Sequence, residues 1–152
     1  MLSGGTVTIT KADFSQLTIL VIDDSDFVRR LVLEMLSGFG VGKILLAESA
    51  NEAFARMDVA RPDLIICDWQ MHPVDGLAVL RKLRLQPSQD YPRIPFIMLT
   101  GHNSTDDVTT AIGEGADSYI VKPFSSATLM THLLKVILAD KGHLDSREAW
   151  AV

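Results

Sequence analysis

Between Leu17 and Leu138, short apolar runs rich in β-branched residues alternate with stretches whose apolar positions recur every three or four residues. Near-continuous apolar runs are strands covered on both faces, and periodic stretches are helices with one buried stripe, so the alternation predicts βα units closing a parallel sheet. Five units are expected. The first strand is Leu17 to Asp23, and the helix after it runs from Ser25 or Asp26 to Phe39. In that helix Val28, Leu31, Val32, Met35, Leu36 and Phe39 form the inner stripe, Arg29, Arg30 and Glu34 lie on the other side, and Gly38 and Gly40 stop it. Strand two is Lys43 to Ala47. Ser49 to Glu52 then matches a capping box opening a helix through Ala53, Phe54 and Met57.

Strand three is Asp63 to Asp68, and its helix runs from about Gly76 to Leu85, with Leu77, Leu80 and Leu83 or Arg84 on successive turns. Residues Gln86 to Pro95 hold three of the six prolines, which marks an exposed loop. Strand four is Ile94 to Leu99, ending at Thr100-Gly101. Helix four starts at Asn103 or Ser104 and ends between Gly113 and Gly115. Strand five is Ser118 to Val121, and a last helix, about Ser125 to Leu138, buries Leu129, Leu133, Val136 and Ile137. Residues 1–16 and 139–152 lack sustained periodicity and are expected to form a loosely attached N-terminal extension and a C-terminal tail around a single domain at 17–138.

Composition narrows the function. A net charge of −5 with no Lys/Arg run longer than two disfavours nucleic acid as a partner, whose binding depends on phosphate neutralisation. No apolar stretch is long enough for a membrane span, and the N-terminus lacks a signal-peptide pattern, so a cytoplasmic location is expected. Cys67 is the single cysteine, which excludes an internal disulfide and a thiolate metal site and makes it a small core residue. His72, His102, His132 and His143 have no metal-ligand spacing.

In a parallel sheet with helices on both faces all strand C-termini share one edge, where ligands bind. Asp23 and Asp24 end strand one, Asp68 strand three, Thr100 strand four and Lys122 strand five. Three carboxylates, one hydroxyl and one ammonium therefore meet on that edge. Converging carboxylates repel unless a cation compensates, and an oxygen-only ligand set suits Mg2+.

The segments VIDDSDFVR, IICDWQMHPVDG, MLTG and YIVKPF, in this order and spacing, resemble the receiver domain of two-component response regulators, closest in layout to the chemotaxis type. The resemblance spans Leu17 to Leu138. It implies an α/β, flavodoxin-like, doubly wound five-stranded parallel sheet of order 2-1-3-4-5 with five helices. It also implies that Asp68 accepts a phosphoryl group from a histidine kinase or histidine phosphotransfer protein. Asp23, Asp24, Asp68 and the backbone carbonyl of Gln70 would hold Mg2+, and Thr100 and Lys122 would bind the phosphoryl oxygens. Tyr119 aligns with the rotamer-switch aromatic of the family, and Lys122-Pro123 with a peptide bond usually cis there. Such a phosphoprotein is not a multiple-turnover enzyme. It transfers the group to itself, loses it slowly, and switches the surface formed by helix four, strand five and helix five.

Fourteen residues after Leu138 leave no room for an output domain, so a monomer signalling through a downstream protein is expected, with the flagellar motor switch one candidate. Departures from the family are His72, where it has proline, with the proline displaced to Pro73. Gln70 and His102 occupy positions that flank the water attacking the phosphoryl group and would tune its lifetime. Trp69 is either a partner contact or a rim aromatic, and Tyr119 either a switch or simple packing. Two other functions remain open: a receiver used as a phosphate sink or passive binding module, and an aspartyl-nucleophile phosphatase. The last resembles the chain less, because its nucleophile is followed two residues later by an acid and here that position is Gln70.

Overall fold

The computed structural model describes residues 14–85, 93–101 and 104–139. Five strands and five helices alternate: β1 (Thr18–Ile22), α1 (Asp26–Phe39), β2 (Lys43–Ala47), α2 (Ala50–Val59), β3 (Leu64–Asp68), α3 (Gly76–Leu85), β4 (Phe96–Thr100), α4 (Thr105–Gly113), β5 (Ser118–Val121) and α5 (Ser126–Ala139). All neighbouring strands pair in parallel, in the order 2-1-3-4-5. The doubly wound flavodoxin-like sheet expected from the sequence is therefore present.

Alternation within the strands explains the two layers. Side chains of successive strand residues point to opposite faces. Ile19, Val21, Ile66, Ile97, Leu99 and Ile120 pack on one face with Val32 and Leu36 of α1 and Leu129, Leu133, Val136 and Ile137 of α5. Leu20, Ile22, Ile65, Cys67, Phe96 and Met98 pack on the other with the buried stripes of α2 and α3 and with Ala111 of α4. Cys67 is fully buried, as its place in β3 predicts. Among the described residues no helix is long and apolar enough to cross a membrane.

Local chemistry sets the helix ends. Ser25, Ser49 and Ser104 each cap a helix by accepting a backbone N–H three residues on. Each such cap is worth about 1 kcal/mol. Glu52 departs from the expected capping box, since its carboxylate accepts from the N–H of Glu48 and not from that of Ser49. Of the two glycines expected to stop α1, only Gly40 does so, in a left-handed conformation with φ 89°. Gly38 remains helical, exposed, with nothing within 4 Å of where a Cβ would sit. Gly38→Ala is therefore expected to raise stability by about 0.5–1 kcal/mol through the entropy glycine gives the unfolded chain. Urea denaturation checks this.

The amino-terminal ends of the strands are tied by buried polar bonds. Asp63 donates its N–H to the Thr18 carbonyl at 2.7 Å and accepts the Thr18 N–H on its carboxylate at 2.8 Å. Arg84 of α3 donates to the carbonyls of Ile94 and Gly115 and pairs with Asp117, which in turn accepts the N–H of Phe96 at 2.8 Å. Phe14, placed by the sequence reading in a loose extension, is 2% exposed, and its carbonyl accepts the N–H groups of Leu17 and Gly42. It belongs to the core of the α1/α5 face.

Candidate functional site

Order 2-1-3-4-5 places β1 beside β3 at the point where the winding reverses, and a crevice opens there at the carboxyl ends of the strands. Asp23 follows β1 and Asp68 is the last residue of β3, so the fold delivers two buried carboxylates to that crevice. Asp23 accepts the N–H of Ser25 at 2.8 Å, which fixes the turn into α1. Asp24 beside it is exposed. Carboxylate oxygens, one from each of Asp23, Asp24 and Asp68, lie within 4.8 Å of one another.

Lys122, just past β5, reaches across to this group. Its Nζ donates to Asp68 Oδ1 at 2.8 Å and to Asp23 Oδ2 at 3.2 Å, while its backbone N–H donates to the Thr100 carbonyl at 2.7 Å. Burial pulls the ammonium towards its neutral form, but the hydrogen bond to Asp68 and the charges of Asp23 and Asp68 outweigh it, leaving the Lys122 pKa above the ordinary lysine value. Burial pushes the Asp68 carboxyl above the ordinary range; the Lys122 hydrogen bond opposes this and the Asp23 charge adds to it. Three carboxylates against one ammonium leave an excess of two negative charges, which a divalent cation with oxygen ligands would balance.

Thr100 is buried at the end of β4. Its Oγ1 accepts from Gln70 Nε2 at 3.3 Å, and the Gln70 Oε1 accepts the Gly101 N–H at 3.4 Å. Burial raises the Tyr119 phenol pKa against the pull of a hydrogen bond with Thr100. The Tyr119 ring meets the Trp69 ring edge-on, with centroids 6.3 Å apart at 84°. Trp69, Gln70, Thr100 and Tyr119 thus form one connected group beside the carboxylates. The structure therefore brings together Asp23, Asp24, Asp68, Gln70, Thr100, Tyr119 and Lys122. His102 lies outside the described residues.

The loop after Asp68 has room of its own. His72-Pro73 and Lys122-Pro123 are both cis peptides, the second as the sequence resemblance implies. Residues from Trp69 to Asp75 line a groove of about 590 Å³ that Ala78 and Arg81 of α3 close. His72 is exposed, whereas Met71 before it is buried.

One residue of this region was not expected from the sequence. Arg29, assigned to the solvent side of α1, has a side chain only 11% exposed and donates to the Asp23 carbonyl at 2.6 Å. Helical periodicity puts it outside, but helix side chains tilt towards the N-terminus, so a long one in the second turn reaches back to the strand end.

A parallel five-stranded sheet with acids and a lysine converging on its switch-point crevice defines a phosphoryl-handling or metal-binding α/β domain. Comparison with known proteins identifies which. The response regulator receiver domain matches residues 19–134, more than half of the chain, and the chain belongs to that family. The chemotaxis protein CheY1 of Helicobacter pylori is 36% identical over 120 residues, covering 78% of this chain and 95% of that protein. The transcriptional regulatory protein TrcR of Mycobacterium tuberculosis is 34% identical over 137 residues, 90% of this chain and 51% of that protein. Among solved structures, the chemotaxis protein CheY4 of Vibrio cholerae superimposes with a TM-score of 0.72 at 32% identity, covering 79% of this chain and 98% of that one.

Proposed function

We propose that this chain is a response regulator receiver whose Asp68 accepts a phosphoryl group from the phosphohistidine of a histidine kinase or phosphotransfer protein. The observation that carries the reading is the Lys122 ammonium bonded to both Asp68 and Asp23 at the rim where three carboxylates converge. A carboxylate oxygen of Asp68 attacks phosphorus, the P–N bond breaks, and the imidazole leaves with the electron pair and takes up a proton. Lys122, fully charged at neutral pH, stabilises the negative charge spread over the phosphoryl oxygens in the transition state. Asp23, Asp24, Asp68 and the Gln70 carbonyl are the groups that would hold Mg2+. The bound ion supplies further neutralisation of the phosphoryl oxygens and helps to orient them.

Phosphorylation adds a dianion within reach of Thr100, whose hydroxyl can turn from Gln70 and Tyr119 towards it. The space that the hydroxyl vacates lets Tyr119 turn inward from its edge-on contact with Trp69, which changes the surface of α4, β5 and α5 and with it the fit of a protein partner. The test is incubation with radiolabelled acetyl phosphate and Mg2+. One label on Asp68, released by alkali and by hydroxylamine as an acyl phosphate is, is expected, and a beryllofluoride mimic should change affinity for a partner. Multiple turnover on phosphate esters would overturn the reading in favour of a phosphatase. Unchanged partner affinity would reduce the protein to a phosphate sink.

The carboxylate cluster also predicts a metal effect on stability. Mg2+ at tenfold over its dissociation constant should stabilise the fold by about 1.4 kcal/mol, and EDTA should reverse this. Thermal melts with and without Mg2+ measure it. A Tm indifferent to Mg2+ would remove the metal from the mechanism.

A further inference from the structure

We propose that Arg29 is a positioning residue that holds the β1–α1 corner in the conformation needed for metal binding by Asp23 and Asp24. The inference rests on the receiver reading and adds a residue to it. The Arg29 guanidinium makes three connections at once. One amino group donates to the backbone carbonyl of Asp23 at 2.6 Å, and the other pairs with Asp26 Oδ1 and approaches Glu48 Oε2 at 4.0 Å. Those three residues belong to the end of β1, the first turn of α1 and the turn leaving β2.

Asp24 lies inside the corner that these contacts enclose, between Asp23 and the helix cap Ser25. Its side chain is exposed, so the direction of its carboxylate follows the backbone path that Arg29 clamps. A planar guanidinium suits this task because its donors project in fixed directions and several acceptors can be held at once. Asp26 and Glu48 supply opposite charge to Arg29, so the clamp brings little net positive charge to a rim that must attract a cation.

Two accounts of Arg29 predict opposite signs. If it acts only as a nearby positive charge, its removal makes the rim more negative and tightens Mg2+ binding. If it positions the carboxylates, its removal lets the corner relax and weakens binding. Partners behind the ligands of metal sites typically alter affinity about 10–100-fold.

The test is calorimetric titration of the full chain with Mg2+ alone, without a phosphodonor. Arg29→Ala is expected to raise the Mg2+ dissociation constant about 10-fold, with Arg29→Lys falling between it and the wild type. Arg30→Ala removes the same charge from the adjacent exposed side chain and should leave binding within about twofold, the size of a screened surface effect. In phosphorylation assays the Arg29→Ala defect should appear as a higher Mg2+ requirement and disappear at saturating Mg2+, which a general loss of structure would not do. Unchanged or tighter Mg2+ binding by Arg29→Ala would overturn the proposal while leaving the receiver reading intact. A wild-type chain that binds no Mg2+ would overturn both. Should Arg29→Ala fail to fold, Arg29→Lys decides: wild-type affinity refutes positioning by the guanidinium, and weakened affinity with an unchanged melting curve supports it.

Discussion

Asp68→Asn is expected to take up no label from acetyl phosphate and, in metal-free buffer at neutral pH, to melt at a higher temperature than the wild type. The first effect follows from losing the nucleophile. The second follows from what the carboxylate costs. Burial, with the Asp23 charge in support, holds the Asp68 proton more tightly in the folded chain than in the unfolded one, against the pull of Lys122. The group therefore favours folding at pH below its unfolded value of 3.8, and the contribution is lost as pH rises through the raised folded value.

At neutral pH the wild type carries an ionised, buried Asp68 beside two other acids, while asparagine fills the same space without charge. Lys122 has a second acceptor in Asp23, at 3.2 Å, that the substitution does not remove. A gain of about 1 kcal/mol is expected, in the range seen when functional strain is relieved, and it corresponds to roughly 3–5 °C in Tm. Melts of both proteins from acid to neutral pH in EDTA should show the curves converging at low pH. A variant that melts below the wild type at neutral pH would show that Lys122 outweighs burial and repulsion.

Gly76→Ala carries the largest expected cost in stability. Gly76 opens α3, and its N–H donates to the Trp69 carbonyl at 2.8 Å. A Cβ there would lie 2.2 Å from the Asp68 carbonyl oxygen and 3.0 Å from both the Asp68 carbonyl carbon and the Trp69 Cα. All three are backbone atoms at the end of a central strand, so no flexible side chain can yield. A loss of about 3 kcal/mol is expected, at the upper end of overpacking penalties, with a Tm lower by roughly 10 °C. Because the two Asp68 carbonyl atoms are among those displaced, phosphorylation should slow as well. Chemical denaturation and labelling rates measure the two effects. Wild-type stability together with a wild-type labelling rate would show that the α3 entry moves freely and that the close approach is unimportant.

The site was legible in the sequence because a geometric rule relates strand ends to one edge. Asp23, Asp68, Thr100 and Lys122 could be placed together before any coordinates, since each terminates an apolar run in a parallel sheet. Contacts that depend on side-chain reach were not legible. Periodicity put Arg29 among the solvent-facing residues of α1, yet its tilt brings it to Asp23. Arg84 was placed on the inner face as an alternative to Leu83, but nothing local indicated partners more than thirty residues away, Gly115 and Asp117. Phe14 lies outside any periodic segment, so a single aromatic gave no sign that it closes the core beneath the α1/α5 face. Gly38 and Gly40 look equivalent in sequence, and only the left-handed φ of Gly40 separates them.

The bonds from Arg84 and Asp117 hold β4 and β5 together at the edge of the sheet remote from Asp68. Thr100 ends β4 at the opposite end of the same two strands, opposite Val121, while Tyr119, paired with Met98, lies between that end and Asp117. The side-chain braces thus lie at one end of the two strands, and the end that carries Thr100 is joined by the backbone bond from the Lys122 N–H, so the shift proposed for Thr100 need not disturb those braces.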